Sequence, residues 1–316
     1  MRLALVRSRL LRSVADQVGQ TPLLRLERIG KSAPSVEIYA KLEFANPGGS
    51  VKDRPALSMM LAAIESGALT SDKTLLDSTS GNTGVAYALF GAALGYPVEL
   101  VMPSNVTKAR KDIVQAFGAK IVYSDPMEGS DGAIRVAQKM IDEGGDRYFY
   151  PNQYANPANP AAHYHGTGRE ILDAVGDRIT HFVAGLGTTG TMMGTARRLR
   201  EHARPVRCIA VEPDDALHGL EGLKHLPSSI VPAIYDGSLT DETMRISTED
   251  GWDMADRLAA EEGLHVGHSS GANVLAALRI AEDLHRRQGG GCVVTVIADR
   301  GDRYFAPMKW EKRYTW

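Results

Sequence analysis

Residues 181–191 read H-F-V-A-G-L-G-T-T-G-T. Residues 181–184 have the apolar character of a buried strand, 185–190 form a glycine-rich loop, and a helical pattern follows over 191–202. Strand, tight loop and helix are the repeating unit of a parallel sheet. The pattern recurs on both sides. Strand-like runs lie at residues 37–42, 74–77, 98–101, 120–123, 206–211 and 293–298. Helix-like runs lie at 57–64, 85–94, 108–117, 133–143, 252–262 and 272–287. In the first of these, Leu57, Met60, Leu61 and Ile64 share one face and Gly67 reads as the C-cap. The alternation predicts an α/β fold, a mostly parallel sheet with helices on both faces. Ligands of such sheets sit beyond the carboxyl ends of the strands, so the strand-to-helix loops should carry the chemistry.

Composition narrows the class of protein. The 316 residues hold 36 Lys+Arg against 38 Asp+Glu, and 43% are hydrophobic. That is enough apolar material for a sizeable core, which excludes intrinsic disorder. The net charge of −2 gives no support to a nucleic-acid partner. Length suggests two domains or one large α/β unit. Residues 150–160 (YPNQYANPANP) lack periodicity and are the expected junction, dividing the chain into 1–150 and 151–316. Cys208 and Cys292 exclude a disulfide framework or a cysteine-based zinc site and suit a reducing cytoplasm. Each reads as a small buried hydrophobe. Residues 78–98, the longest uncharged stretch, are rich in Ser, Thr, Asn and Gly and carry Pro97, so no membrane span is expected. Arg2, Arg7, Arg9 and Arg12 give the first residues the look of a transit peptide. An ordinary first helix with Leu3, Leu10, Leu11 and Val14 turned inward is the favoured reading.

Four loops are candidates for the site. Residues 46–55 (NPGGSVKDRP) place Lys52 at the start of a helix, with Asp53 favoured over Ser50 as N-cap because Pro55 belongs in a first turn. A helix N-terminus and burial both favour a neutral amine, as a Schiff-base lysine requires. Taken alone, Lys52 is equally a surface lysine. Residues 78–84 (STSGNTG) gather hydroxyls and backbone N–H groups where carboxylate or phosphate binds, or where a helix is merely capped. Gly185, Gly187 and Gly190 fit a dinucleotide fingerprint, and Glu212 ends the next strand near the spacing of a ribose-binding acid. The same loop also fits a cup for one phosphate monoester, lined by Thr188, Thr189 and Thr191. Residues 267–272 (GHSSGA) offer Ser269 and Ser270 as caps or as partners of a ligand ring. His163 and His165 have no third ligand at metal-like spacing, so no metal is expected.

Taken together and in order, these loops resemble the cysteine synthase family, pyridoxal-phosphate enzymes of fold type II. The motifs are G-Q-T-P-L from Gly19, N-P-G-G-S-V-K-D-R, T-S-G-N-T-G, N-Q-Y-A-N-P-A-N, G-T-T-G-T and G-H-S-S-G-A. The resemblance runs from about Val14 to Tyr304. It implies a tryptophan synthase β-like architecture of two three-layer α/β/α domains, with the segment at about 14–35 packing on the other domain. It also implies bound pyridoxal 5′-phosphate. By position, Lys52 matches the lysine that carries the cofactor and then serves as base at Cα. Asn82 matches the residue that bonds the cofactor's 3′ oxygen, and Gly187, Thr188, Thr189, Gly190 and Thr191 match the phosphate cup. Ser269 matches the hydroxyl facing the ring nitrogen, a neutral partner that favours β-elimination over transamination. Thr79, Ser80, Gly81, Thr83 and Gln153 match the groups that hold the substrate carboxylate.

The implied reaction is β-replacement on O-acetyl- or O-phospho-L-serine, with sulfide or a carrier-bound sulfur giving L-cysteine. Lys224 falls near the place where relatives that use O-phosphoserine carry a basic residue, and it suits a phosphate leaving group. Cystathionine β-synthase and serine or threonine dehydratase chemistry are alternatives on the same fold. An NAD-dependent dehydrogenase is the alternative from another class. Family members are usually homodimers. Gln20 and Tyr154 depart from the family's usual asparagine and phenylalanine, away from the central chemistry.

Overall fold

The computed structural model describes residues 11–304, apart from Ser80 and Thr107. In chain order the strands are β1 Leu23–Arg25, β2 Val36–Leu42, β3 Thr74–Ser78, β4 Val98–Pro103, β5 Lys120–Ser124, β6 Tyr148–Phe149, β7 His181–Gly185, β8 Arg207–Pro213, β9 Glu242–Ile246 and β10 Gly291–Ile297. The α-helices are α1 Asp53–Glu65, α2 Asn82–Leu94, α3 Lys108–Ala116, α4 Gly129–Gly144, α5 Ala158–Ala162, α6 Arg169–Val175, α7 Gly190–Arg200, α8 Thr248–Arg257 and α9 His268–Arg286.

The strands form two sheets. The larger has the order β1-β2-β10-β7-β8-β9 and the smaller β5-β4-β3-β6. All pairs are parallel except β1 with β2. Side chains of a strand alternate between faces, and β10 shows what that does here. Val293 and Ile297 join a core with Val274 and Ala277 of α9 and Met254 of α8. Cys292, Val294 and Val296 join the opposite core with Met192 and Ala196 of α7 and Ile171 of α6. Both faces are covered by helices, which is why the strand reads as a continuous apolar run. The smaller sheet is likewise sandwiched, with α1 and α2 on one face and α4 on the other. This is the mixed α/β, three-layer arrangement expected from the sequence.

Sheet membership cuts across the chain. β1 and β2 pair within the larger sheet, although the strands that follow them build the smaller one. Within the segment 14–35, Val14 and Ala15 pack against the smaller-sheet core while Leu26 and Ile29 join the larger. Most of the expected N-terminal helix lies outside the described residues; the described part holds a 3-10 turn, Val14–Gln17, closed by a reciprocal cap between Ser13 and Asp16. Leu11 is exposed; Leu3 and Leu10 lie outside the described residues. Cys208 and Cys292 are buried, and burial pushes their thiols up to about 12 and about 11. Among the described residues no helix is long and apolar enough to cross a membrane.

Helices α8 and α9 touch at glycines. A Cβ on Gly271 would lie 2.0 Å from the Gly251 carbonyl oxygen and 2.8 Å from the Ala255 nitrogen. Gly271→Ala must therefore part the two helices. We expect a loss of about 1–3 kcal/mol, as for other overpacked cores, despite alanine's better helix propensity. Thermal denaturation checks this.

Candidate active site

Loops from both sheets enclose one cleft. Its inner part, about 50 Å³, adjoins an outer part of about 510 Å³, and Lys52, Asn82, Gly187 and Thr188 border both. Each wall has a local cause.

The lysine loop is held by its own backbone and by the larger sheet. Gly49 takes φ +79°, a left-handed conformation natural to glycine. The Val51 N–H donates to the Ala298 carbonyl (2.8 Å), and Ser50 bridges to Asp299, so the loop is tied to the end of β10. Asp53 was the expected N-cap. It is instead the first helical residue, with Lys52 at the cap position, because its carboxylate turns back to accept from the Gly48 N–H at 2.5 Å. Burial pushes the Asp53 carboxyl up to about 7, against the opposing pull of Gly48 and Arg303. Lys52 borders the cleft but is ringed by protein; burial lowers its pKa, with Asp299 opposing. A neutral lysine amine is the form that attacks a carbonyl.

The helix beginning at Asn82 forms the second wall. Asn82 donates to Asp299 Oδ2 at 2.6 Å and accepts from Arg303. Thr83 donates to Gln153 Oε1 at 3.0 Å, which joins two of the expected carboxylate-binding residues. Thr79 and Gly81 line the outer cleft beside them. Ser80 lies outside the described residues.

The third wall is the cup. Thr189 has φ +73°, an unusual conformation for a β-branched residue and one that functional sites retain. It caps α7, so the free N–H groups of that helix face the cavity. Thr188, Thr191 and Gly187 line it. A Cβ on Gly187 would lie 2.2 Å from the Gly222 carbonyl oxygen, and one on Gly190 would lie 1.9 Å from Asn159 Oδ1. Glycine at both positions is therefore a matter of space. Ser269, in the first turn of α9, faces the inner cleft; Ser270 instead accepts from the Ala298 N–H at 2.9 Å and is structural. Lys224 lines the outer cleft with its Nζ 5.1 Å over the Tyr154 ring.

The dinucleotide reading does not survive this geometry. Glu212 is buried at the end of β8, and its carboxylate is engaged by Arg245 (3.1 Å) and by the Leu226 N–H (3.3 Å). No free acid is left there for a ribose.

Three side chains of the site carried no sequence signal. Asp299 gathers Asn82 and the Tyr304 hydroxyl (2.5 Å), and burial raises its pKa. Tyr304 borders both parts of the cleft, as does Glu221, which pairs with Arg110 of α3 at 2.6 Å across the outer cleft. Beneath the lysine loop lies a buried ionic network. Arg54 donates to both oxygens of Glu43 (2.6 and 2.9 Å) and of Glu170 (2.7 and 2.8 Å), and Lys41 completes it on Glu170 at 2.6 Å. Among the described residues no group of three or more His, Cys, Asp or Glu side chains could hold a metal ion.

The residues present fit a phosphorylated carbonyl compound. The buried Thr189 Oγ1 has no partner within the protein, the cup ends on a helix N-terminus that favours an anion, and Lys52 stands at the same inner cavity. Fold and cleft together define a class, α/β enzymes that bind such a cofactor. Comparison with known proteins gives the family. Residues 14–299 match the model of the pyridoxal-phosphate dependent enzymes, and the chain belongs to that family, with pyridoxal phosphate as its cofactor. It is 49% identical over 294 residues to a cysteine synthase of Aquifex aeolicus, covering 92% of this chain and 90% of that one. It is 41% identical over 301 residues to cysteine synthase B of Pseudomonas aeruginosa, covering 95% and 98%. The crystal structure of cysteine synthase from Entamoeba histolytica superposes with a TM-score of 0.92 at 34% identity, covering 100% of this chain and 96% of that one.

Proposed function

We propose that the protein makes L-cysteine by β-replacement on an O-activated L-serine, O-acetyl- or O-phospho-L-serine, with sulfide or another sulfur donor. The observation that carries this reading is that Lys52 shares one cleft with Thr188, Thr189 and Thr191 of the cup and with Thr79, Gly81 and Thr83. Bound pyridoxal phosphate supplies the electron sink for charge developing at Cα. The chain's residues do the rest. Thr79, Thr83 and Gln153 orient the substrate carboxylate, which sets Cα within reach of Lys52. The neutral Lys52 amine would then take the Cα proton. The Cβ–O bond breaks with its electrons leaving on acetate or phosphate, the sulfur bonds to Cβ, and the proton returns to Cα. Ser269, which lines the inner cleft, would offer the cofactor ring a neutral hydroxyl, and this supports β-elimination and replacement over transamination.

Lys224 supports a phosphate leaving group, since a cation aids departure of a dianion and is dispensable for acetate. We expect Lys224→Ala to lower kcat/KM for O-phosphoserine by about tenfold, as for loss of a charge-assisted bond, and to leave O-acetylserine nearly unchanged. Steady-state rates with the two substrates check this. Cysteine formation from each ester with sulfide tests the main reading. Cystathionine formed from homocysteine, or pyruvate formed from serine, at a higher rate would replace it.

A homodimer acting in the cytoplasm completes the reading, with a sulfur-carrier protein as a candidate donor. Exposed Leu217, Ile230 and Val231 support a protein interface. Residues 1–150, which bring Lys52, and 151–316, which bring the cup, are proposed as the domains, with β1 and β2 of the first joined to the sheet of the second.

A further inference from the structure

His163 lies behind the phosphate cup, in a part of the chain to which the proposed reaction gives no role. It opens a π-helical turn, His163–Gly168, between α5 and α6. π-turns interrupt regular helices and often accompany functional sites. The ring is buried (1% exposed) and both nitrogens are engaged. Nδ1 lies 2.9 Å from the Thr167 hydroxyl, and Nε2 lies 3.3 Å from the hydroxyl of Thr191, a cup residue. Glycines allow this approach. A Cβ on Gly194, one turn beyond Thr191 on α7, would lie 2.0 Å from the Pro160 carbonyl oxygen and 2.8 Å from the His163 Cβ. With glycine there and at Gly190, α7 settles against residues 159–163.

We propose that His163 is a positioning residue for the cup, a neutral Nε2–H imidazole that fixes the Thr191 hydroxyl as a donor to the cofactor phosphate. The argument is one of proton counting. A threonine hydroxyl has one proton. To donate it into the cup, Thr191 must accept at its oxygen from Nε2–H. A neutral ring has one N–H, so Nδ1 is then bare and accepts from Thr167 O–H. The chain of donors runs Thr167 to His163 to Thr191 to phosphate. In the other tautomer Thr191 would donate into the ring and turn lone pairs toward the anion. The groups around the ring keep it neutral. Burial lowers the His163 pKa well below its ordinary value, the positive charge of Arg54 lowers it further, and Glu170 opposes them. An imidazolium could not accept from Thr167.

The inference rests on the cup holding the phosphate of pyridoxal phosphate, and its test separates the two. The first measurement is nitrogen NMR of the wild-type holoenzyme with labelled histidine. The expected result is one buried histidine held as the neutral Nε2–H form from about pH 6 to 8, and an Nδ1–H or doubly protonated His163 overturns the inference. The second uses apoenzyme and measures affinity for pyridoxal phosphate and for inorganic phosphate. His163→Leu and Thr191→Val should each weaken both by about ten- to hundredfold, as expected for a hydrogen bond to a charged group. The double variant should lose little more than either single one. His163→Gln, which retains an N–H donor, should recover most of the affinity. Unchanged affinity in His163→Leu, or additive losses, overturns the positioning role. Failure of the wild-type apoenzyme to bind either probe overturns the reading of the cup itself.

Discussion

Lys52→Ala should reduce cysteine formation by at least about a thousandfold. General acid–base catalysis by one group contributes about 10²–10⁴, and Lys52 is also the site at which the cofactor is proposed to attach. The variant should fold, because the lysine amine makes no hydrogen bond on which the loop depends. The loop is held by the Val51–Ala298 bond, the Ser50–Asp299 bridge and the Asp53 carboxylate on Gly48. Lys52→Arg should be equally inactive. It keeps the positive charge but a guanidinium cannot be deprotonated in this range, whereas the buried lysine is shifted toward the neutral amine. Substrate should still bind to the cofactor-loaded alanine variant. Rates measured with O-acetylserine and sulfide check both substitutions; a rate within tenfold of wild type would remove Lys52 from the mechanism.

The second large effect is on stability. Arg54→Met should cost about 3–5 kcal/mol, because removing one partner of a buried ion pair leaves the other charge uncompensated. Glu43 is fully buried and gives both oxygens to Arg54. A second change, Glu43→Gln, should recover much of the loss by removing the orphan charge. Glu170 gives the pH signature. Burial alone would raise its pKa; hydrogen bonds and charge from Arg54, with Lys41, bring it down to about 2. A depressed carboxylate contributes stability that is fully present above its ordinary pKa of about 4.5 and is lost as pH falls toward 2. Wild type should therefore weaken steeply below pH 4.5, and Arg54→Met should show a shallower acid dependence. Denaturant midpoints against pH check both statements.

What could be read from the chain, and what could not, follows from range. Each long strand was legible because burial on both faces makes it a continuous apolar run, and helices such as α1 and α9 because one face repeats. Strands β1, β6 and β9 were not. β1 and β6 are short, and β1 and β9 carry exposed residues on sheet edges, so length or pattern fails to mark each of them. The helical stretch from α5 to α6 was hidden by Pro157, Pro160, Gly166 and Gly168, which ordinarily break helices. Glu262 and its neighbours 258–261 form a π-turn that no side-chain period announces. At the site, loops with local motifs were legible, and the structure gathers Lys52, Asn82, Ser269 and most of the cup around one cavity. Asp299, Glu221 and the Arg54–Glu170 pair were not, since partners 111 or more residues apart leave no mark on either neighbourhood. His163 was read only as a poor metal ligand, because its partner Thr191 belongs to another motif.

The central claim is that Lys52 holds pyridoxal phosphate, and borohydride reduction of the holoenzyme followed by peptide mass mapping tests it most directly. The account predicts a phosphopyridoxyl group on the peptide containing Lys52 and loss of activity in proportion to labelling. A label on another lysine, with Lys52 unmodified, would contradict it.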